Sequence, residues 1–287
     1  MSRILCVMVL VFMYNEIKSQ EEIAKMDYAI WANMQNTTIS DLSLGFNQRI
    51  SKGFNLSLDY LKRDLDFFDR DEIFPLTEIE RFHQLQLGLG YGFNAGEDYR
   101  FEGVFNPTIS TSWTSSLSQE DFLWNFSFSV LREWLNKKQR KSWVKAGVLN
   151  DVLFGAPQIL PLLAYGTQVG DKVSLEIGFP ESYLEFQLNE RNQLLLEHSF
   201  TGMYANISNG LEIDGLGGLT DGKFVQNGSQ LVINHVFRLQ PSFNTFTRIG
   251  YQFGGDFEIQ DSVDNQLYDF GQGSSVFFSM GIMYNLK

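Results

Sequence analysis

The chain has 287 residues, of which 44% are hydrophobic and 15% aromatic, and its formal net charge is -12. This acidity argues against nucleic acid as a partner, because binding to a phosphate backbone depends on clustered lysine and arginine. Beyond residues 1–20 no apolar run reaches the ~18 residues of a membrane helix, so any structure that spans a membrane must be a closed sheet.

Residues 1–20 have the pattern of a secretory signal peptide. Arg3 supplies a positive start, and the apolar run 4–13 follows it. Such a run is too short to cross a bilayer as a helix. Cys6 is the only cysteine and lies within this run, so the mature chain would hold no disulfide and no thiolate metal site. We therefore expect a signal peptide at 1–20 and one domain at 21–287.

Alternation of apolar and polar residues predicts the secondary structure of that domain. Successive side chains of a strand point to opposite faces, so period-two alternation indicates a strand with one apolar face and one polar face. Fourteen segments show this pattern, at 28–35, 39–49, 54–62, 82–93, 99–105, 121–132, 142–149, 161–169, 173–179, 183–189, 193–205, 230–240, 243–253 and 275–286. The main alternative is twelve strands, with the short segments between 161 and 189 merged or left out of the sheet.

Short turns alternate with connections that are mostly long, and tight hairpins near 36–38 and 180–182 are expected at the remaining external positions. The short turns are 51–53, 94–98, 136–141, 170–172, 190–192 and 241–242, and the long polar connections are 63–81, 106–120, 150–160, 206–229 and 254–274. Bacterial outer-membrane barrels have short periplasmic turns and longer external loops, so the alternation also assigns sidedness. The predicted fold is all-β, a single antiparallel up-and-down transmembrane β-barrel of about fourteen strands.

The last segment shows best why we expect the apolar face to meet lipid. Val276 and Phe278 alternate with small or polar residues such as Ser279, and Phe277 and Met283 are the exceptions. A soluble lipocalin-like barrel would place the apolar face inside, and residue parity alone does not distinguish the two. The number of strands, the asymmetry of the connections and this closing strand favour a membrane barrel.

Ten charged residues fall on the predicted lumen face. They are Arg49, Asp59, Arg100, Glu102, Lys145, Glu176, Glu185, Glu197, Arg238 and Arg248. One interpretation is a polar pore that orients solutes, and the other is a lumen that pairs its own charges and passes little. Glu176, Glu185 and Glu197 could form an acidic patch for a hard cation, but they lack the spacing of a calcium loop. We therefore predict no metal and no cofactor.

Two of the three histidines, His198 and His235, have the parity of the lipid face. If Ala205 pairs near Gln230, the numbers of residues that lie opposite each other add up to about 435. The numbers of the two histidines, 198 and 235, add up to 433, so we expect them to be direct or diagonal cross-strand neighbours. We expect both to be neutral in this apolar setting. The alternative is that this face meets a partner protein or a lipid headgroup.

The segment YANISNG at 204–210 resembles the His-x-Ser-Asn-Gly stretch of the outer-membrane phospholipase family, in which a histidine activates the serine. Asn206 occupies the histidine position here, so Ser208 would lack its base. We predict that the protein is not an enzyme. Lipid hydrolysis, motivated by Ser208 and the nearby His198, remains the alternative.

A longer stretch, 160–208, reads LPLLAYGTQVGDKVSLEIGFPESYLEFQLNERNQLLLEHSFTGMYANIS. It resembles a Gram-negative outer-membrane barrel family catalogued only as a domain of unknown function, and Leu286-Lys287 departs from the aromatic end usual in such barrels. The resemblance implies an outer-membrane location, with outer-membrane lipid and the barrel assembly machinery as partners and small solutes as cargo. The predicted function is a passive channel or a structural barrel. The alternative to both is a surface binding module that uses the loops 63–81 and 206–229.

Overall fold

The computed structural model describes residues 21–287 except 33, 35, 69–77, 213–218, 262, 272 and 287, so the expected signal peptide lies outside the described residues. Its strands are β1 Glu21–Ala32, β2 Thr37–Ser51, β3 Phe54–Phe67, β4 Arg81–Ala95, β5 Tyr99–Thr111, β6 Phe122–Leu135, β7 Lys141–Asp151, β8 Gln158–Gly170, β9 Val173–Phe179, β10 Glu181–Gln187, β11 Asn192–Glu212, β12 Leu219–Gln240, β13 Phe243–Phe253, β14 Phe257–Asp261, β15 Gln266–Asp269 and β16 Ser275–Leu286. A short 3-10 helix, Gln119–Asp121, precedes β6.

Fourteen of these strands close into a barrel of antiparallel neighbours. Strands β1 to β13 follow one another around the ring, and β16 pairs with both β13 and β1. The predicted fourteen-strand, up-and-down barrel is therefore confirmed. The short segments between 161 and 189 are the separate strands β8, β9 and β10, which removes the twelve-strand alternative. The hairpin of β14 and β15 lies outside the ring and was not predicted.

The outer surface of the barrel is apolar. On β1, Met26, Tyr28 and Ile30 are exposed, whereas Asp27 and Trp31 on the opposite parity are buried. The same alternation continues on β6 and β16, where the exposed parity carries large aromatic and aliphatic side chains. This is the arrangement of a transmembrane barrel and the reverse of a soluble lipocalin-like one. No helix among the described residues is long and apolar enough to cross a membrane.

The connections have the predicted asymmetry. Each of the six predicted short turns joins two consecutive strands at the same end of the barrel, beginning with β2 and β3 and ending with β12 and β13. The opposite end carries the long connections and the β14–β15 hairpin, together with the short β1–β2 and β9–β10 connections. We refer to these as the short-turn end and the long-loop end, which correspond to the expected periplasmic and external ends.

The prediction of a loop at 206–229 is wrong, because most of these residues extend the strands β11 and β12. β11 and β12 pair without a break up to Ile207↔Gly222 and pair again at Leu211↔Thr220. Beyond Gly202 this hairpin leaves the wall and crosses the mouth of the barrel to β5, which lies six strands away around the ring. There Asn206 forms a parallel β-bridge with Thr111 of β5. We call residues 203–212 of β11 and 219–227 of β12 the cap hairpin.

Glycines at the base of the cap hairpin permit its bend into the mouth. A Cβ on Gly202 would lie 1.9 Å from the carbonyl oxygen of Val152, and a Cβ on Gly228 would lie 2.8 Å from the carbonyl oxygen of Gly254. The two glycines are almost opposite each other, since Gly202 pairs with Asn227. Glycine within a strand marks such close backbone approaches.

The lower face of the cap hairpin closes the long-loop end with a core of apolar side chains. Phe224 of β12 stacks on Phe82 of the wall with ring centroids 4.5 Å apart, and both are fully buried. Phe257 and Ile259 of β14 and Ile207 of β11 join the same cluster. Burial of each such side chain contributes about 1.5–3 kcal/mol. The mouth is thus filled by a hydrophobic core.

The upper face of the cap hairpin is held by polar contacts to the β5–β6 connection. Lys223 Nζ donates to Glu120 Oε2 at 2.7 Å and to Asn206 Oδ1 at 3.1 Å. Asn206 Nδ2 in turn donates to Asp121 Oδ1 at 2.9 Å. Because Lys223 and Asp121 are both buried, these contacts fix the position of the hairpin across the mouth.

The wall is low where β9 and β10 meet. Each has seven residues, and only Pro180 separates them. The last pair between β8 and β9 is Leu163↔Phe179, so residues 158–162 of β8 extend beyond β9. Phe154, from the connection before β8, packs over this gap, with ring centroids 6.0 Å from Phe179 and 5.4 Å from Phe200. An aromatic cluster therefore covers the low part of the wall.

The predicted pairing of the two histidines is wrong. His198 lies opposite Leu231, and His235 lies opposite Leu194, so they are four positions apart along the ladder. The expected register assumed a long loop between β11 and β12, whereas the cap hairpin continues the ladder and moves the register. His198 Nε2 instead lies 3.0 Å from Ser229 Oγ, and His235 Nε2 lies 3.0 Å from Asn192 Oδ1.

A glycine in the wall provides a test of the strand register. A Cβ on Gly147 of β7 would lie 2.1 Å from the carbonyl oxygen of Phe128, whereas a Cβ on Gly103 of β5 would meet nothing within 4 Å. We expect Gly147→Ala to lower the free energy of unfolding by about 1–3 kcal/mol, and Gly103→Ala to leave it nearly unchanged. Urea unfolding in lipid vesicles, followed by tryptophan fluorescence, measures both. Equal effects would contradict the β6–β7 register.

Sidedness can be tested with single cysteines at the two ends. Val263 at the long-loop end is 71% exposed, and Lys138 in a short turn is also exposed. On intact cells, a membrane-impermeant maleimide should label Val263→Cys, and Lys138→Cys should react only after the outer membrane is permeabilised. Labelling of Lys138→Cys alone on intact cells would invert the assigned topology.

Candidate functional site

Below the cap hairpin the barrel encloses a central cavity of about 420 Å³. This volume lies within the range of small-molecule sites in proteins. The walls come from inward-facing residues on both sides of the β1–β16 closure and from the cap hairpin. The charged and amide side chains that line the cavity are Lys25, Asp27, Asp41, Asp59, Arg63, Gln84, Gln86, Gln226, Gln230, Arg248 and Gln252.

Arg63 joins the barrel wall to the cap hairpin. Its Nε and Nη2 donate to the two carboxylate oxygens of Asp41 at 2.8 and 2.6 Å, and its Nη1 donates to Gln226 Oε1 at 2.6 Å. The guanidinium also lies 5.4 Å from the Trp31 ring. A two-point pair of this kind fixes geometry as well as charge. Because both partners are buried, removal of one would leave the other charge uncompensated.

A second ion pair spans the closure itself. Arg248 of β13 pairs with Asp27 of β1, and Ser279 of β16 lies between them, accepting from Arg248 Nε at 2.9 Å and donating to Asp27 Oδ1 at 2.9 Å. Phe277, an exception to the alternation of β16, faces inward and stacks on Trp31 at 5.3 Å. The closure of the barrel thus has a polar and an aromatic contact on its inner side.

Asp59 is the carboxylate that faces open cavity space. It lies in one row with Gly45 and Lys25 across three strands. A Cβ on Gly45 would come within 2.9 Å of Asp59 Oδ1, so the glycine leaves room for the carboxylate. Asp27 and Asp41 are buried and held by arginines, whereas Asp59 is exposed to the lumen. It is therefore the acidic group that a solute in the cavity can reach.

The short-turn half of the lumen holds further spaces lined by charged side chains. Arg49 and Arg100 line a space of about 490 Å³. Arg100 also lines a second space of about 350 Å³, together with Glu102, Lys145 and Glu176. Arg100 and Glu102 pair at 3.6 Å, and Trp143 Nε1 donates to Glu176 Oε2 at 2.6 Å. Charged side chains therefore continue from the central cavity towards the short-turn end.

The remaining sequence-predicted lumen residues lie farther along the wall. Glu185 accepts from Ser174 at 3.1 Å, and Glu197 accepts from Asn234 at 3.2 Å. Arg238 is exposed near the end of β12. In the part of the chain that the structure describes, no group of three or more carboxylate, histidine or cysteine side chains is arranged to hold a metal ion. The three glutamates are thus wall residues with separate partners.

Sequence reasoning missed the four charged residues at the centre of the site, Lys25, Asp27, Asp41 and Arg63. Lys25 and Asp27 precede the first predicted segment, and Arg63 falls in a predicted loop because β3 continues to Phe67. Asp41 lies on the inward parity of a predicted strand. Its inward parity could have predicted the ion pair, because a carboxylate that faces the lumen is stabilised by a cation on a neighbouring strand.

The surroundings of Ser208 do not form a serine–histidine pair. Its hydroxyl lies 2.6 Å from Thr111 Oγ1, and it accepts from Ser112 Oγ at 3.3 Å. The three described histidines form hydrogen bonds with residues other than Ser208, and the partner of His198 is Ser229. Ser208 therefore contributes to the attachment of the cap hairpin to β5.

No protein-family model and no curated protein matches the chain. Among solved structures, the chain is similar to the NanC porin, with 7% identity, 92% of this chain and 100% of that chain covered, and a TM-score of 0.46. An outer-membrane channel from Pseudomonas putida F1 is 8% identical over 96% of this chain and 98% of that chain, with a TM-score of 0.42. The KdgM porin in complex with disordered oligogalacturonate is 8% identical over 92% and 99%, with a TM-score of 0.40. At these identities and TM-scores the similarities say nothing about the function of this chain.

Proposed function

We propose that the protein is a passive channel of the outer membrane for small polar solutes, closed at its external end by the cap hairpin. The observation that carries the proposal is the central cavity, in which buried ion pairs, glutamines and the reachable Asp59 carboxylate face one space. Burial of charges costs free energy of solvation even when they are paired. A barrel that served only to fill the membrane could pack its interior with apolar side chains, as the mouth beneath the cap hairpin does.

The two ends of the lumen assign the closed and the open side. The short-turn half has spaces lined by Arg49, Arg100 and Lys145. The long-loop half is filled by the apolar core beneath the cap hairpin. A solute can therefore occupy the lumen from the short-turn side, and passage through the barrel requires displacement of the hairpin.

The attachments of the cap hairpin suit a reversible closure. Its lower face meets the wall through Gln226, which accepts from Arg63, and through the stack of Phe224 on Phe82. Its base has Gly202 opposite Asn227, next to Gly228. Movement at this base would exchange a limited set of contacts and leave the ladder of the wall intact. The competing function, a permanently closed structural barrel, requires that these contacts never open.

A disulfide across the mouth distinguishes the two functions. Thr111 and Asn206 are bridge partners, and neighbouring strands lie about 4.8 Å apart, within disulfide reach. In planar bilayers we expect steps of conductance from the unmodified protein, loss of the steps in oxidised Thr111→Cys/Asn206→Cys, and recovery after addition of a reductant. The single-cysteine variants are the controls, because each loses one of the two side chains and cannot form the crosslink.

One result would count against the channel, and another against closure by the cap hairpin. Persistent silence of the unmodified protein and of the reduced variant at all voltages supports a structural barrel. Conductance of the oxidised variant equal to that of the unmodified protein would show that the cap hairpin does not control passage.

Acid should weaken the closure through Asp121. Burial raises the pKa of its carboxyl group, but hydrogen bonds from the Ser118 backbone and from the Thr111 and Asn206 side chains outweigh burial, so the pKa is lowered. A lowered pKa means that the carboxylate stabilises the closed position fully above the ordinary aspartate pKa of about 3.9 and loses this effect as the pH falls through the lowered value. We expect open probability to be constant from neutral pH to about pH 5 and to rise only below about pH 4. In Asp121→Asn this rise should be absent, and an unchanged acid response would assign it to other groups.

A further inference from the structure

The short-turn end carries a cationic and aromatic surface that the lumen does not use. Its members are Tyr99, Arg132, Trp134, Lys137, Lys138, Arg140 and Tyr165, and we call it the basic rim. We propose that the basic rim binds the phosphate of an anionic phospholipid headgroup in the adjacent leaflet. The inference concerns the outer wall of the barrel and does not depend on whether the lumen conducts.

The wall above the short turn supplies the aromatic part of this surface. Tyr99 and Arg132 are paired across β5 and β6, and the guanidinium lies 5.4 Å from the Tyr99 ring. Trp134 and Tyr165 come within 6.4 Å of each other, centroid to centroid. Tyr99 and Tyr165 are exposed on the lipid-facing parity. Aromatic rings at this level mark the boundary between hydrocarbon and headgroups.

The turn between β6 and β7 places cations directly beyond those rings. Asn136 Oδ1 accepts from the backbone N–H groups of Lys138 and Arg140 at 2.9 and 3.2 Å. Arg140 also donates to the carbonyl oxygen of Val169 on β8. The backbone of the turn is thus fixed, and Lys137 and Lys138 project from it exposed. Neither lysine forms an ion pair with any residue that the structure describes.

The charge of this surface is contrary to that of the whole protein. The chain has a net charge of -12, yet four cations lie between 132 and 140 with Glu133 as the only acid among them. Glu133 has the inward parity and lines the lumen. The nearest acidic turn holds Glu97 and Asp98, and the Glu133 N–H donates to the Asp98 carbonyl oxygen at 2.9 Å. An acidic protein thus presents a local cationic surface at one sector of its rim.

The position of the basic rim selects a lipid over a soluble anion. Arg132 and the three rings face outward from the barrel wall, where a headgroup lies in the same layer. A phosphate there would meet the guanidinium and the two lysines, while the rings would contact the glycerol and upper acyl region. Anions in solution gain only the charge contact. Basic residues at such a surface strengthen binding to anionic lipid.

Native mass spectrometry of the folded protein with equal amounts of phosphatidylglycerol and phosphatidylcholine tests the proposal. We expect preferential binding of phosphatidylglycerol, and a decrease of up to about fivefold per neutralised charge in Arg132→Gln/Lys137→Gln/Lys138→Gln. The charge-conserving variant Lys137→Arg/Lys138→Arg should retain the preference. Increased ionic strength should reduce it, since the cations are exposed.

Two matched controls separate the basic rim from net charge. Lys52→Gln/Lys172→Gln/Arg191→Gln removes three cations from other short turns and should leave the preference intact, and Glu97→Gln/Asp98→Asn should strengthen it. Heat-dependent gel mobility verifies that each variant is folded. An unchanged preference in the basic-rim variant, or an equal loss in the Lys52 control, would overturn the proposal. So would binding to peptidoglycan sacculi that requires these residues while phosphatidylglycerol binding does not.

Discussion

The requirement that every backbone amide in hydrocarbon finds a partner governs this structure. A lipid-facing sheet satisfies it by closing on itself. Here the last strand, β16, pairs with the first strand, β1. Closure at fourteen strands creates an interior too wide for the wall side chains to fill. The chain resolves this in two ways, with apolar packing under the cap hairpin at one end and with charged and amide side chains in the middle and at the other end. The candidate functional site is the second of these.

The polar interior is organised around pairs that join distant segments. Arg63 connects the wall to the cap hairpin through Gln226, and Arg248 connects β13 to Asp27 of β1. Arg63 thus stabilises a junction between wall and cap hairpin that the backbone ladder does not make, whereas Arg248 adds a side-chain contact to the β13–β16–β1 ladder. The same side chains line the cavity and give it its polarity, so the contacts that stabilise the barrel also form the lining of the lumen. Asp59 differs, because it faces the open space.

Period-two alternation predicted the wall strands, their lipid-facing parity and the short turns, because each wall residue meets either hydrocarbon or the lumen. It failed at the cap hairpin, where both faces are buried. Phe224 packs below and Lys223 is covered above, so polarity no longer follows parity. The register of His198 and His235 failed for the same reason, since it depended on the length of the supposed loop. Arg63 was missed because β3 extends into a polar stretch. Parity predicted the orientation of residues, but not the pairs that the closed ring brings together.

The low wall at β9 and β10 has a consequence for the surrounding bilayer. A tilted strand needs about 9–11 residues to cross the hydrocarbon layer, and these two have seven each. The hydrophobic height of the barrel is therefore unequal around its circumference. Lipid beside Phe179 must thin or tilt to match the shorter side, at a cost of fractions of a kcal/mol per Å. Lipid packing is thus perturbed more on this side of the barrel than on the sides formed by the longer strands.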